Sequence, residues 1–483
     1  MSSGKTSVVK SAFLTISMRW IDRLIGLAST LILARILVPA DFGIIAMASV
    51  VIGLADVLLE MGVHIALLQN KSPTPAHYDT AWTVRLIQTS IMTVIVVLAA
   101  PLAAIYFNEP RLTPVIQVLA LTFVFEGLEN IWIISFQKEM KFTKDFRFMF
   151  IKRVMGFLVT ITLAFATESY WALVAGNLAG RSTGVALSYI MHTNRPRLCL
   201  SKFREIFSVS QWVLVQSIGR FLNTRLHTFV VGGRTDAATM GAYSLAGQIA
   251  AMPSTELLAP LNRVLFPMFV KVKDDLEELK RVFMLAQGVQ TLIAIPAAVG
   301  LCLISRETII ILLGEKWLPA APFVEVISLL SGLAAIVASG SYLMITLGKI
   351  RVSAMYSWIQ VVLFAVIAIG IVPDGDAMDV VWQRFGIACF GFLFYVTLIL
   401  RYLPTLKLID IITSVWRPVV GALAMAGVLN WANDTVTLAP FAALLVKVGL
   451  GATTYVATVL TLWKITGLNE GAEAYVLRKL RKK

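Results

Sequence analysis

The chain has 483 residues, 58% hydrophobic and 14% charged, with a formal net charge of +14 and a mean hydropathy of +0.80. Such a balance excludes a soluble globular domain and describes an integral membrane protein. The apolar residues come in blocks of roughly 20, the length a helix needs to cross about 30 Å of hydrocarbon, and lack the short alternating segments of an outer-membrane barrel. The expected fold class is therefore an all-α integral membrane protein.

The first block, 11–34, is too long and too charged for a cleaved signal and is read as a permanent span. Its SMRWIDRLIG stretch sets Arg19, Asp22 and Arg23 inside the apolar run, with Arg23 about midway between Lys10 and Arg35. A charge at that depth costs about 3 kcal/mol or more and is turned toward a bundle interior or wet cavity. Arg19 and Arg23 are thus candidate substrate-binding residues, and Asp22 is the charge expected to balance them. The second span, 43–68, carries Asp56, Glu60 and His64 at a spacing that puts all three on one helix face. Span three covers 80–105 and span four 112–136, where Glu126 and Asn130 share a face. The acidic groups have two readings: they offset the arginines, or one of them, with His64, binds a coupling proton or sodium ion, since burial raises a carboxyl pKa.

Spans five and six are expected at 147–166 and 170–191, the latter holding Gly176, Gly180 and Gly184 at the spacing used for close helix packing. Span seven, 206–231, repeats the theme of span one: SIGRFLNTRLH places Arg220 and Arg225 within it. Span eight, 240–267, contains Pro253, Pro260 and Pro267, and Arg263 near its end. Prolines remove a backbone donor and favour kinks, so Pro253 and Pro260 are candidate hinges. The remaining spans are expected at 284–304, 321–346, 351–372, 379–400, 415–432 and 439–463, making about fourteen in all. Arg85, Lys152, Arg153 and Lys447 lie near span ends and are expected to snorkel to the interface. Between spans, 138–148 and 271–281 read as short amphipathic surface helices.

Sorting the basic residues of alternate connections gives a strong asymmetry. One side holds only Arg35, Arg111, Arg234, Arg306 and Lys316; the other holds clusters such as Lys138, Lys141, Lys144 and Arg147, or Lys271, Lys273, Lys280 and Arg281. By the positive-inside rule the rich side is cytoplasmic, and both termini lie there. The net charge is then topology signal, and no nucleic-acid partner is expected. Aligning Gly43 with Gly241 brings Arg19 and Arg23 near Arg220 and Arg225, which predicts two six-helix lobes related by a parallel pseudo-two-fold repeat. The expected organisation is an N-terminal lobe at 1–204, a C-terminal lobe at 205–404, and two additional helices with a basic tail at 405–483. Arginines would then line an inter-lobe cleft suited to a phosphate anion.

No P-loop, HExxH, GxSxG or dinucleotide fingerprint occurs, so no enzyme activity is expected, and no cofactor or metal. The stretches ARILVPADFGIIAMASVV, HYDTAWTVRLIQ, FQKEMKFTKDF and LAPLNRVLFPMF, in this order, resemble the polysaccharide transporter branch of the multidrug/oligosaccharidyl-lipid/polysaccharide flippase superfamily, in particular Wzx-type flippases such as colanic-acid exporters. The resemblance implies a protein that moves an undecaprenyl-diphosphate-linked oligosaccharide across a bacterial inner membrane by alternating access. It implies membrane lipids, a polysaccharide polymerase and chain-length proteins as partners. Related lipid II flippases carry cavity arginines in spans one, two and eight; Arg19 and Arg23 match the first and Arg263 the third, whereas span two here has Asp56 and Glu60 in place of an arginine. The alternative is a proton- or sodium-coupled multidrug antiporter with Asp56, Glu60 or Glu126 as its coupling site. A membrane scaffold for a polysaccharide synthase is a further alternative, but one with no use for mid-depth arginines.

Overall fold

The computed structural model describes residues 20–59, 67–68, 72–203, 205, 210–435, 438–467 and 471–481, and among them every regular element is helical. The chain divides into two compact units, Met1–Gly241 and Ala242–Lys483. This division follows packing, whereas the expected boundary at 204/205 follows the sequence repeat.

In the first unit, helix α1 (20–36) is followed after a two-residue break by α2 (Pro39–Leu59). Proline suits a first helical position because its missing N–H would have no helical acceptor there, and the Asp41 carboxylate accepts the Val38 N–H at 3.1 Å. Next come α3 (Pro75–Tyr106), α4 (Leu112–Leu128), the one-turn Ile131–Ile133, α5 (Ile134–Lys138), α6 (Phe142–Thr167), α7 (Trp171–Met191) and α8 (Ser210–Arg234). The second unit holds α9, which starts in the first (Ala237–Lys271), and then α10 (Leu276–Leu303), α11 (Ser305–Leu312) and α12 (Ala321–Thr346). It continues with α13 (Ile350–Ala365), α14 (Ala377–Tyr402), α15 (Leu408–Thr435), α16 (Pro440–Ile465) and α17 (Ala472–Arg481).

Among the described residues nine helices are long and apolar enough to cross a membrane, or ten when α4 and the segment Ile131–Lys138, bent 65° from it, count as one. Helices α7, α8 and α9 are not among the nine. They carry Arg181, then Arg220 and Arg225, then Glu256 and Arg263. The outer face of α3 is apolar as a lipid-facing surface must be: Leu98, Leu102 and Ile105 are exposed.

Two expectations are corrected. The 138–148 segment is not a separate surface helix: Phe142 onward forms the first turns of α6. Likewise 271–281 is the end of α9, a turn, and the start of α10, where the Asp275 carboxylate accepts the Glu277 and Glu278 N–H groups. A strong cap placed before a long apolar run starts that run rather than an isolated helix. Helix α9 runs unbroken through Pro253, Pro260 and Pro267.

Helix α6 lies against α7 through glycine. A methyl group at Gly176 would overlap Thr160 Oγ1 and the Gly156 carbonyl, and one at Gly156 would come within 3.0 Å of the Gly176 carbonyl. The Gly176, Gly180 and Gly184 spacing is therefore a packing seam. A second close contact joins α2 to the start of α9: Gly43 meets the Ala237 carbonyl, and Gly241 meets that of Pro39. In the second unit the core centres on Phe269, Phe283, Leu343, Met344 and Tyr395. There Gly340 of α12 leaves room for Tyr395 and Ile399 of α14.

Candidate functional site

Charged side chains gather between the helices of the first unit. Glu126, in the last turn of α4, accepts from two guanidinium groups, Arg85 Nη2 of α3 at 3.1 Å on Oε1 and Arg181 Nη1 of α7 at 3.3 Å on Oε2. All three side chains are half-buried. One helical turn on, Glu129 Oε2 accepts from Lys152 Nζ of α6 at 3.1 Å. Asp22 Oδ1 of α1 takes Arg153 Nε of α6 at 3.0 Å, in a largely exposed pair.

Local sequence explains why Glu126 and Glu129 present themselves this way. The helix ends at Leu128, and Asn130 redirects the chain: its N–H donates to Ser188 Oγ at 3.0 Å, its Nδ2 to the Asn194 carbonyl at 2.8 Å, and its Oδ1 accepts the Trp132 N–H at 3.1 Å. Asn130 is fully buried, so these bonds replace the backbone bonds that the bend breaks. The bend ends α4 with both glutamates facing the cations of α3, α6 and α7.

Of the expected substrate residues, Arg23 on α1 and Arg220 and Arg225 on α8 have exposed side chains, and all three stand in the first unit. Arg19, and the side chain of Arg263, lie outside the described residues. Of the expected charge-balancing or coupling residues, Asp56 is half-buried on α2, while Glu60 and His64 lie outside the described residues. Asp22, expected to offset Arg19 and Arg23, has its described ion pair with Arg153 of another helix. Pro253 lies within α9, and the side chain of Pro260 is outside the described set.

Arg85, Lys152, Arg153 and Lys447, expected to snorkel, are each paired with a carboxylate, Arg85 with Glu126 as the charge-balancing reading of the acidic residues has it, and Lys447 with Glu307 with both side chains largely buried. Sequence depth alone suggested the interface for them. The signal that could have found their pairing was the Glu126/Glu129 spacing, which offers two carboxylates from one helix end to neighbouring cations. Arg384 of α14 has a neutral partner, donating from Nη1 to Tyr243 Oη at 2.8 Å.

Residues 32–322 match the polysaccharide biosynthesis protein family. The chain is 24% identical to a membrane protein of the cps region of Klebsiella pneumoniae, over 90% of this chain and 91% of that one. It is 27% identical to the lipopolysaccharide biosynthesis protein WzxC of Escherichia coli K12, over 70% of each. Among solved structures, that of the lipid II flippase MurJ in an inward closed conformation aligns with a TM-score of 0.76 at 11% identity, covering 94% of this chain and 99% of MurJ. At that identity the likeness is one of fold, that of a helical membrane protein. Sequence and fold converge, and the chain belongs to the polysaccharide biosynthesis protein family, as a relative of the Wzx-type flippases.

Proposed function

We propose that the chain is a flippase that carries an undecaprenyl-diphosphate-linked oligosaccharide repeat unit from the cytoplasmic to the periplasmic leaflet of a bacterial inner membrane, for exopolysaccharide or lipopolysaccharide assembly. The observation that carries this reading is the set of exposed guanidinium groups on two helices, Arg23 of α1 and Arg220 and Arg225 of α8. A diphosphate brings two adjacent anionic groups with it, and arginine binds such oxygens bidentately while staying charged when partly desolvated. Arg19 and Arg263 extend the same cationic set. The sugar occupies water-filled space while the isoprenoid tail stays in lipid, and the helices alternate between two arrangements, with Pro253 and Pro260 as the hinge of α9.

About fourteen crossings, a parallel two-fold repeat and cytoplasmic termini belong to this reading. Support for the repeat comes from the reciprocal contact of α2 with α9: positions 39 and 237 are equivalent under the Gly43/Gly241 alignment, and each meets the other's glycine. Asp22, Asp56, Glu60, His64 and Glu126 either offset the arginines or carry a coupling ion. Polymerase and chain-length proteins take the product on the far side.

The test is complementation of a deletion strain. Arg23→Ala and Arg220→Ala are each expected to abolish surface polysaccharide and accumulate the lipid-linked precursor, with the protein still in the membrane. Normal export by both variants overturns the cationic-site reading. Normal polysaccharide in the deletion strain together with raised susceptibility to cationic dyes would replace it with the multidrug antiporter.

A further inference from the structure

The segment that follows α7, His192 to Lys202, has no helix of its own, yet it is not a loose loop. It is laid along the first turns of α3 and held there by its backbone. Arg197 N–H donates to Asp79 Oδ1 at 3.0 Å, Cys199 N–H to Thr83 Oγ1 at 2.9 Å, and Lys202 N–H to Thr80 Oγ1 at 3.3 Å. The far end is tied by Glu205, whose Oε2 meets His77 Nε2 at 2.9 Å and whose Oε1 accepts from Lys202 Nζ at 2.7 Å. The near end is tied by His192, stacked on Trp132 and hydrogen-bonded to Ser135 Oγ at 3.3 Å.

The N–H groups that face α3 belong to alternate residues, 197 and 199. In an extended chain those of 198 and 200 then face the other way. By the same alternation Leu198 and Leu200 share one face of the strap and Arg195 and Arg197 the other; all four are exposed, Leu198 at 74% and Leu200 at 52%, and Arg195 Nη1 also donates to the His192 carbonyl. The neighbouring turn adds Met140, 71% exposed, and Lys144, while Lys141 there is paired with the Glu139 carboxylate; Lys144 lies over the Phe136 ring, which itself packs on His192. Exposed leucine and methionine interleaved with arginine and lysine fit neither water alone nor hydrocarbon alone. They fit the boundary layer of a bilayer, where apolar side chains enter the acyl region and cations meet phosphate.

We propose that this strap is a pre-formed docking surface for anionic phospholipid headgroups, with Leu198 and Leu200 inserted beneath them and Arg195 and Arg197 on their phosphates. The pinning to α3 matters because a surface fixed before binding loses little conformational freedom on contact. The partner is a lipid headgroup and not free phosphate, since the leucines serve no soluble anion.

The test uses the full chain in nanodiscs, with Leu198→Cys carrying an NBD fluorophore and Cys199, Cys302 and Cys389 replaced by serine. Discs of phosphatidylcholine alone are compared with discs containing phosphatidylglycerol. The expected result is bluer emission and slower reduction by dithionite in the anionic discs, weakened by high salt. Arg195→Ala and Arg197→Ala should each lower the buried-to-exposed ratio about fivefold, and the lysine replacements should restore most of it. Equal accessibility of the label in both lipids overturns the proposal. So does protection that depends on protein density and not on lipid charge, which would assign the strap to contact between copies of the chain.

Discussion

Ion pairs join the helices of the first unit, beside neutral bonds such as that of Asn130 to Ser188: Glu126 lies between Arg85 and Arg181, Glu129 on Lys152, and Asp22 on Arg153. In the central helices of the second unit the polar contacts are mostly neutral. Ser339 Oγ donates to Gln287, Gln290 Nε2 to Asn262 Oδ1 at 2.9 Å, Gln360 Nε2 to Tyr356 Oη at 2.9 Å, and Tyr395 Oη to Ser341 Oγ at 3.2 Å. Ion pairs return around α15 to α17: Lys280 with Asp410, Lys447 with Glu307, and Arg417 with Glu473. Neutral amide and hydroxyl bonds hold helices together at low desolvation cost. Ionic networks have a larger cost, and in membranes they mark places where a charged species is handled. The last helices are fastened by charge, and the ionic helix contacts of the first unit accompany the arginines of α1 and α8 that the proposed function uses.

This contrast can be tested in order of effect. Lys447 has the least exposed side chain among the described ion pairs, so Lys447→Met alone is expected to lower stability by about 3–5 kcal/mol by stranding a carboxylate. Lys447→Met combined with Glu307→Leu should recover most of that loss in thermal unfolding in detergent, because a packed apolar pair replaces both charges. A double variant as unstable as the single one would show that the pair does more than fasten helices. Glu126→Ala removes the shared acceptor of two guanidiniums and is expected to cost about 2–4 kcal/mol, since the group is partly exposed. Gln287→Leu in the second unit leaves Ser339 to its alternative acceptor, the Ile336 carbonyl, and is expected to cost about 1 kcal/mol. If Glu126→Ala costs no more than Gln287→Leu, the ionic and neutral units are not different in kind. Asp22→Asn should change unfolding least, by about 0–1 kcal/mol, because its pair with Arg153 is exposed.

The helices were legible because hydrocarbon thickness imposes a minimum apolar length, and the expected spans at 321–346, 351–372 and 439–463 lie within a residue or two of α12, of α13 with its continuation to Ile371, and of α16. The bend at Glu129–Asn130 was not legible. No proline marks it, Gly127 just before it is packed within α4 against Thr89, and the groups that stabilise it, Ser188 and the Asn194 carbonyl, are 58 and 64 residues further along the chain. The arginines of α1 and α8 announced themselves by depth. Their neighbours Arg85 and Lys152 did not, because a cation near a helix end has an adequate explanation in snorkelling until a carboxylate is found beside it.

The most direct measurement is leaflet exchange in proteoliposomes holding an NBD-tagged undecaprenyl-diphosphate oligosaccharide. With the unaltered chain, dithionite should bleach the outer-leaflet pool and then the inner pool as it is carried outward. With Arg23→Ala combined with Arg220→Ala, bleaching should stop at the outer pool. Exchange by the double variant at the rate of the unaltered chain would contradict the account.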